Sequence, residues 1–238
     1  MDNASYATLT RQSGLRQEMQ IIAHNIANAS TGGYQKEGLI FSEFVNRLEN
    51  SDTSLSMATA NARMIDRSQG QLTRTGGSFD VAIEGDGYFM VQTPEGNRLS
   101  RAGSFQPNAD SLLASSDGAL VLDPGETPIF IPPAVNDIHI GTDGSISGDG
   151  RALGQIGLFQ PLDPTKMTRA GGVRFDVEGG VEALENGGMV QGFIESSNVD
   201  PILEIARMIE VQRAYERGRD LMSTEDERIR GVIQTLGQ

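Results

Sequence analysis

PILEIARMIEVQRAYERGRDLMSTEDERIRGVIQTL, residues 201–236, is the stretch whose reading decides the fold. Asp200 can cap a helix, Pro201 suits its first position, and Glu204 sits in the positively polarised first turn. From there Ile205, Met208, Gln212, Tyr215, Arg219, Met222, Asp226, Ile229, Ile233 and Leu236 follow at alternating steps of three and four, and seven of these ten are apolar. That is the stripe of a coiled-coil helix, roughly 54 Å long if unbroken. Thr224 and Glu227 also match a capping box, which would start a second helix. The other end of the chain repeats the spacing in shorter form at Leu15, Met19, Ile22 and Ile26. Residues 4–29 therefore read as a helix with a matching face. Polar residues on the longer stripe (Gln212, Arg219, Asp226) suit a helix that meets several neighbours better than a simple two-stranded coil.

Working inward, Asn28, Ser30, Thr31, Gly32 and Gly33 stop the first helix, since paired glycines supply left-handed conformations and little helix propensity. Residues 34–69 leave two readings open. Phe41, Phe44, Val45 and Leu48 have helical spacing, whereas residues 50–56 are polar and loop-like. Between residues 70 and 192 the texture changes, with 22 of the 29 glycines and eight of the nine prolines. Short apolar runs alternate with Asp117-Gly118, Asp143-Gly144 and Pro94-Glu95-Gly96-Asn97. Asp-Gly between such runs signals a hairpin, and the spacing near ten residues predicts an all-β meander or small barrel.

Charge follows the same division. The chain carries −13 in total, yet residues 1–40 hold three basic and three acidic side chains and residues 200–238 hold six and eight. Near-neutral ends can approach copies of themselves while an acidic middle stays solvated. A balance this acidic disfavours nucleic acid and anionic membranes. Absence of Trp argues against a sugar or base platform, and absence of cysteine excludes disulfides and thiolate metal sites. The opening MDNASYATLTRQSG is polar and reads as no signal peptide, and no run reaches the length of a membrane span.

Motifs for chemistry are weak. His24 and His139 are too few for a zinc site without carboxylates and read as structural. Asp143 and Asp149 lack calcium-loop spacing, so two hairpin turns explain them better. Gly85-Asp86-Gly87 begins a phosphate-loop pattern, but Met90 takes the third glycine position and a strand follows. No nucleophile motif occurs, and no pair of carboxylates stands out among the 32 acidic residues. No catalytic residue, metal or cofactor is assigned.

Four blocks carry a resemblance. HNIANAST (24–31) with Gly33-Tyr34-Gln35-Lys36, GQLTRTGGSFDVAIEGDGYFMV (70–91), LSRAGSFQPNADSLL (99–113) and SSNVDPILEIARMIEVQRAYE (196–216) together resemble the bacterial flagellar rod and hook protein family. His24 stands where that family usually has Asn. Its opening, followed by EGLIFSEF, is similar to proximal rod proteins, whereas distal ones typically carry a further segment after the first helix. The resemblance implies an α+β fold, with N- and C-terminal helices packed together and carrying a central all-β domain. It implies a structural role for Asn25, Asn28, Thr31, Gly33, Asp80, Gly85, Gly87, Asn198, Asp200 and Pro201. It further implies assembly with copies of itself and other rod proteins, and export by the flagellar type III apparatus without a cleaved signal. The destination would be the periplasmic rod of the basal body.

The expected division is 1–33 for the first helix, 34–74 for an extended connection, 75–195 for the β-rich domain and 196–238 for the completing helix. Two opposing classes are a β-domain cell-wall hydrolase and a chaperone-like adaptor. A pocket gathering titratable groups would mark the first, and ordered assembly into tubes separates a rod subunit from the second.

Overall fold

The computed structural model describes residues 2–47, 54–184 and 187–236. The fold is α+β, and its contacts divide it into two compact units. One comprises residues 1–27, 37–66 and 200–238; the other comprises 28–36 and 67–199. Residues 28–36 thus group with the β-rich body, and residues 37–66 group with the terminal helices.

In the first unit, helix α1 (Asp2–Ala27) packs against helix α2 (Pro201–Leu236). The pairing is antiparallel: Gln12 reaches Tyr215, Glu18 reaches Arg207 and Asn25 reaches Glu204. No second helix starts at Thr224. Its hydroxyl bonds the Asp220 carbonyl at 3.0 Å instead of capping, and Arg228–Glu225 and Arg230–Asp226 pairs support the continuous turns. Strands β1 (Glu37–Arg47) and β2 (Ser54–Ile65) form an antiparallel hairpin that packs on α1. The helical spacing of Phe41, Phe44 and Val45 is therefore overridden, because a ladder to residues 57–60 and 56 satisfies their backbone as strand. Leu48 lies outside the described residues.

Among its described residues the second unit has strands and one 3-10 turn at Pro164–Lys166, with no α-helix. Strands β3 (Leu72–Arg74) and β4 (Val81–Glu84) pair with the late segments Phe193–Glu195 and Gly188–Gln191. Strand β5 (Tyr88–Thr93) forms a hairpin with β6 (Gly96–Ser100) and also pairs Leu120–Val121 and Leu158–Pro161. The expected hairpins exist: the one at Asp143-Gly144 lies in a separate sheet whose strands follow chain order, whereas long-range pairings join those at residues 94–97 and at Asp117-Gly118 into a non-sequential sheet rather than a simple meander. Asp149 and Gly150 both take positive φ (49° and 77°) in the two-residue turn before Arg151–Gln155. Asp143 staples its turn by accepting from the Ser145 amide at 3.0 Å and hydroxyl at 2.6 Å. Val81, Ile83, Phe89, Val91, Leu113, Val121 and Ile156 form the core, with Phe89 and Phe105 edge to face at 5.1 Å.

Candidate assembly site

The helix pair is built around Leu15, Ile22 and Val211, with Met19, Ile26, Met208, Ala214 and Tyr215 half-buried around them. On α1 the expected stripe Leu15, Met19, Ile22 and Ile26 faces α2. On α2 the burial recurs at Glu204, Met208, Val211, Tyr215, Gly218, Met222 and Glu225. Met208, Tyr215 and Met222 lie on this seam as well as on the expected stripe. The alternate positions are shifted by one residue: Ile205 and Gln212 are exposed, and Glu204 and Val211 are buried in their place. Ile229 is exposed, and the side chains of Ile233 and Leu236 lie outside the described residues.

Polar contacts set this phase. Gln12 donates to the Tyr215 carbonyl at 2.8 Å, and a Cβ on Gly218 would lie 2.3 Å from its Nε2. Gly218 is the gap through which Gln12 reaches α2. Arg207 pairs with the largely buried Glu18 carboxylate at 2.6 Å. Asn25 is 1% exposed and bonds two neighbouring elements. It donates to the Glu37 carbonyl at 2.9 Å, accepts from the Glu37 amide at 3.0 Å, and donates to the Glu204 carboxylate at 3.0 Å. One side chain thus ties α1 to both α2 and β1. Asp200 caps α2 by accepting from the Ile202 and Leu203 amides at 2.9 and 3.2 Å, with Pro201 as the first helical residue.

In the β-rich body Gly33, Gly70 and Gly85 converge on one junction. Arg101 and Glu195, each with a side chain 2% exposed, pair at 3.2 Å. Glu195 also accepts from the Gly70 amide at 2.9 Å, and Arg101 donates to the Gly85 carbonyl at 2.8 Å. Burial raises the Glu195 pKa above the ordinary carboxylate value even against the adjacent guanidinium. Gly33, at φ 71°, donates to the Glu195 carbonyl at 2.8 Å; its absent Cβ would lie 2.2 Å from the Ala102 nitrogen. Asn198 accepts from the Lys36 amide at 2.6 Å and donates to the Ser68 carbonyl at 2.9 Å. Tyr34 is buried beneath Arg169 at 4.3 Å, and Gln35 accepts from the Tyr88 hydroxyl at 3.0 Å. Gly85 and Gly87 turn the chain at φ 94° and 115°. Asp80 accepts from Thr75 and Ser104 at 2.6 and 2.9 Å, and Thr31 bonds back to Asn28. All four sequence blocks contribute to these two networks.

A cavity of about 260 Å3 in the body is lined largely by Gly, Ser and Ala. Its charged members already serve structural pairs, Glu195 with Arg101 and Asp117 with Arg174. Val211, Gly218, Gln12 and the Arg101–Glu195 pair went unrecognised in the sequence. Helix α2 holds two glycines, Gly218 and Gly231, and glycine within a helix was the signal that could have drawn attention to Gly218.

These features define a class: a structural protein whose two chain ends fold into one helical unit and whose middle forms a separate β body. Residues 6–35 match the flagella basal body rod protein family, 82–148 the flagellar hook protein FlgE/F/G D1 domain, and 190–235 the flagellar basal body rod FlgEFG protein C-terminal family. The chain is 38% identical to the flagellar basal-body rod protein FlgF of Caulobacter vibrioides and 36% to that of Mesorhizobium japonicum. Each alignment covers 100% of this chain and 99% of the relative. It is also 31% identical to the rod protein FlgG of Agrobacterium fabrum, over 92% of this chain and 93% of the relative. The chain belongs to the flagellar basal-body rod protein family.

Proposed function

We propose that this chain is a FlgF-like structural subunit of the flagellar basal-body rod, and that it assembles through its terminal helices with copies of itself and with other rod proteins. The full-length likeness to FlgF proteins carries this reading. The helix pair supports it: its inner seam is closed by Val211, Leu15 and Ile22, yet Ile202, Ile205, Ile209, Ile229 and Val232 remain exposed on α2. An apolar surface of that kind is costly on an isolated protein and marks an interaction site. In this reading the inner residues Leu15, Met19, Ile22, Ile26, Met208, Tyr215 and Met222 hold the helical unit together, and Ile205 and Ile229 face neighbours. Export by the flagellar type III apparatus, a periplasmic position, torque transmission and enclosure of the export channel follow from the same reading. The acidic body would form the outer layer.

Deletion of the chain tests the reading. Cells lacking it should fail to complete the rod and should not swim, and the wild-type chain should purify with basal bodies. Val211→Asp, which buries a carboxylate without a partner in the helix seam, should leave the chain out of them. Complete rods and normal swimming in the deletion strain would refute it. Cleavage of cell-wall glycan by the purified chain would favour the hydrolase class instead.

A further inference from the structure

Helix α2 buries an acid and exposes the isoleucine beside it. Glu204 is 3% exposed on the seam, whereas Ile205 is 49% exposed. An amphipathic helix ordinarily does the reverse. A roll of α2 about its own axis would correct this. Successive residues lie about 100° apart around a helix, and Met208, Tyr215 and Met222 border both possible seams, so a roll of about 50° exchanges one seam for the other. The exchange withdraws Glu204, Val211, Gly218 and Glu225 and brings in Ile205, Gln212, Arg219 and Asp226.

Apolar burial hardly distinguishes the two phases. Each alternate set holds one large aliphatic residue, Val211 or Ile205, and removing either from water is worth about the same. Polar contacts with α1 make the choice. Asn25 donates to the Glu204 carboxylate at 3.0 Å, Arg207 pairs with Glu18 at 2.6 Å, and Gln12 reaches past Gly218 to the Tyr215 carbonyl at 2.8 Å. Among these, the Asn25 contact is also tied to the hairpin. Its amide nitrogen and oxygen bond the carbonyl and amide of Glu37, the first residue of β1. Asn25 therefore cannot follow α2 through a roll without giving up β1.

We propose that α2 is a two-position helix, latched in the observed phase by Asn25 on Glu204, and that release of this latch rolls it so that Ile205 takes the seam position against α1. The hairpin holds the latch, because the Glu37 backbone fixes both ends of the Asn25 amide. In the observed phase α2 presents Ile205 outward, and in the other it presents Val211. One helix thus carries two alternative outer surfaces. The device belongs to the helical unit alone and does not depend on the rod-subunit reading.

The chain has no cysteine, so a single introduced thiol reports the face on which it lies. Maleimide labelling would be timed on the purified full chain for V211C and Q212C, each alone and each combined with E204K or E204Q. Alone, V211C should react slowly and Q212C fast, since Val211 is buried and Gln212 exposed. E204K removes the acceptor and sets an ammonium against the Asn25 amide donor. V211C should then react faster than Q212C, and the ratio of the two rates should change by about tenfold or more, as the loss of one hydrogen bond to a charged group gives. E204Q keeps an acceptor for Asn25 and should preserve the original order. Any order other than the reversed one in E204K would overturn the two-position helix. That includes equally fast labelling of both thiols, which marks a helix pair that has come apart instead of settling in a second phase. Loss of the original order in E204Q would overturn the latch, as would fast labelling of V211C on its own.

Discussion

Breaking the Arg101–Glu195 pair should damage the β-rich body more than removing both partners together. The pair is separated by 3.2 Å, with both side chains 2% exposed. Arg101→Met leaves the Glu195 carboxylate buried with only the Gly70 amide, and Glu195→Leu leaves the guanidinium with the Gly85 carbonyl and the Tyr88 ring at 5.2 Å. Removing one member of a buried pair costs about 3–5 kcal/mol, because the other charge stays desolvated and uncompensated. The double variant has no buried charge there. Its loss is mainly the two hydrogen bonds to Gly70 and Gly85, about 1 kcal/mol each, so it should be destabilised by about 2 kcal/mol. Against a typical total of about 5–15 kcal/mol, the singles should be badly destabilised and the double only mildly. Urea unfolding of the full chain, followed by tyrosine fluorescence, measures this, since Tyr34 and Tyr88 both lie in the body. A double variant that costs the sum of the two singles would refute the coupling, as would singles that cost less than about 1 kcal/mol.

Gly33→Ala should cost about 3 kcal/mol or more, because its Cβ would collide with the Ala102 backbone; Gly76→Ala, at a similar φ of 75° but with nothing within 4 Å, should cost only about 1 kcal/mol in the same unfolding assay. Val211→Ala should lower helix-pair stability by about 2–3 kcal/mol and Gln212→Ala by no more than about 0.5 kcal/mol, read from thermal melts at 222 nm; a reversed order would place the wrong face inward. Two carboxylates should give opposite pH slopes. Burial, partly offset by Arg101, raises the Glu195 pKa, so its contribution is fully present below 4.5 and falls as pH rises through the folded value; Glu195→Gln should flatten that fall. The Ser115 hydroxyl, helped by Arg174 and opposed by partial burial, lowers the Asp117 pKa. Its contribution is present above 3.8 and is lost as pH falls through the folded value, a loss that Asp117→Asn should remove in acid titrations of stability.

What the sequence by itself determined is local or periodic. Helices at both ends, the cap at Asp200, the Asp-Gly hairpins and the change of texture near residue 70 follow from spacing and turn chemistry within a few residues. The four motif blocks were legible for the same reason. Tertiary structure alone decided the partners. Residues 41–45 have helical spacing but became strand because a second strand in the same hairpin offers them a ladder. On α2, Met208, Tyr215 and Met222 belong to either of two seams, one running through Ile205 and Gln212 and the other through Glu204 and Val211. Counting apolar residues cannot choose between those flanks, since each alternate set mixes polar and apolar positions. The choice falls to Gln12 over Gly218 and Asn25 on Glu204, contacts between residues about 200 and 180 apart whose bonds exist only once the two chain ends meet.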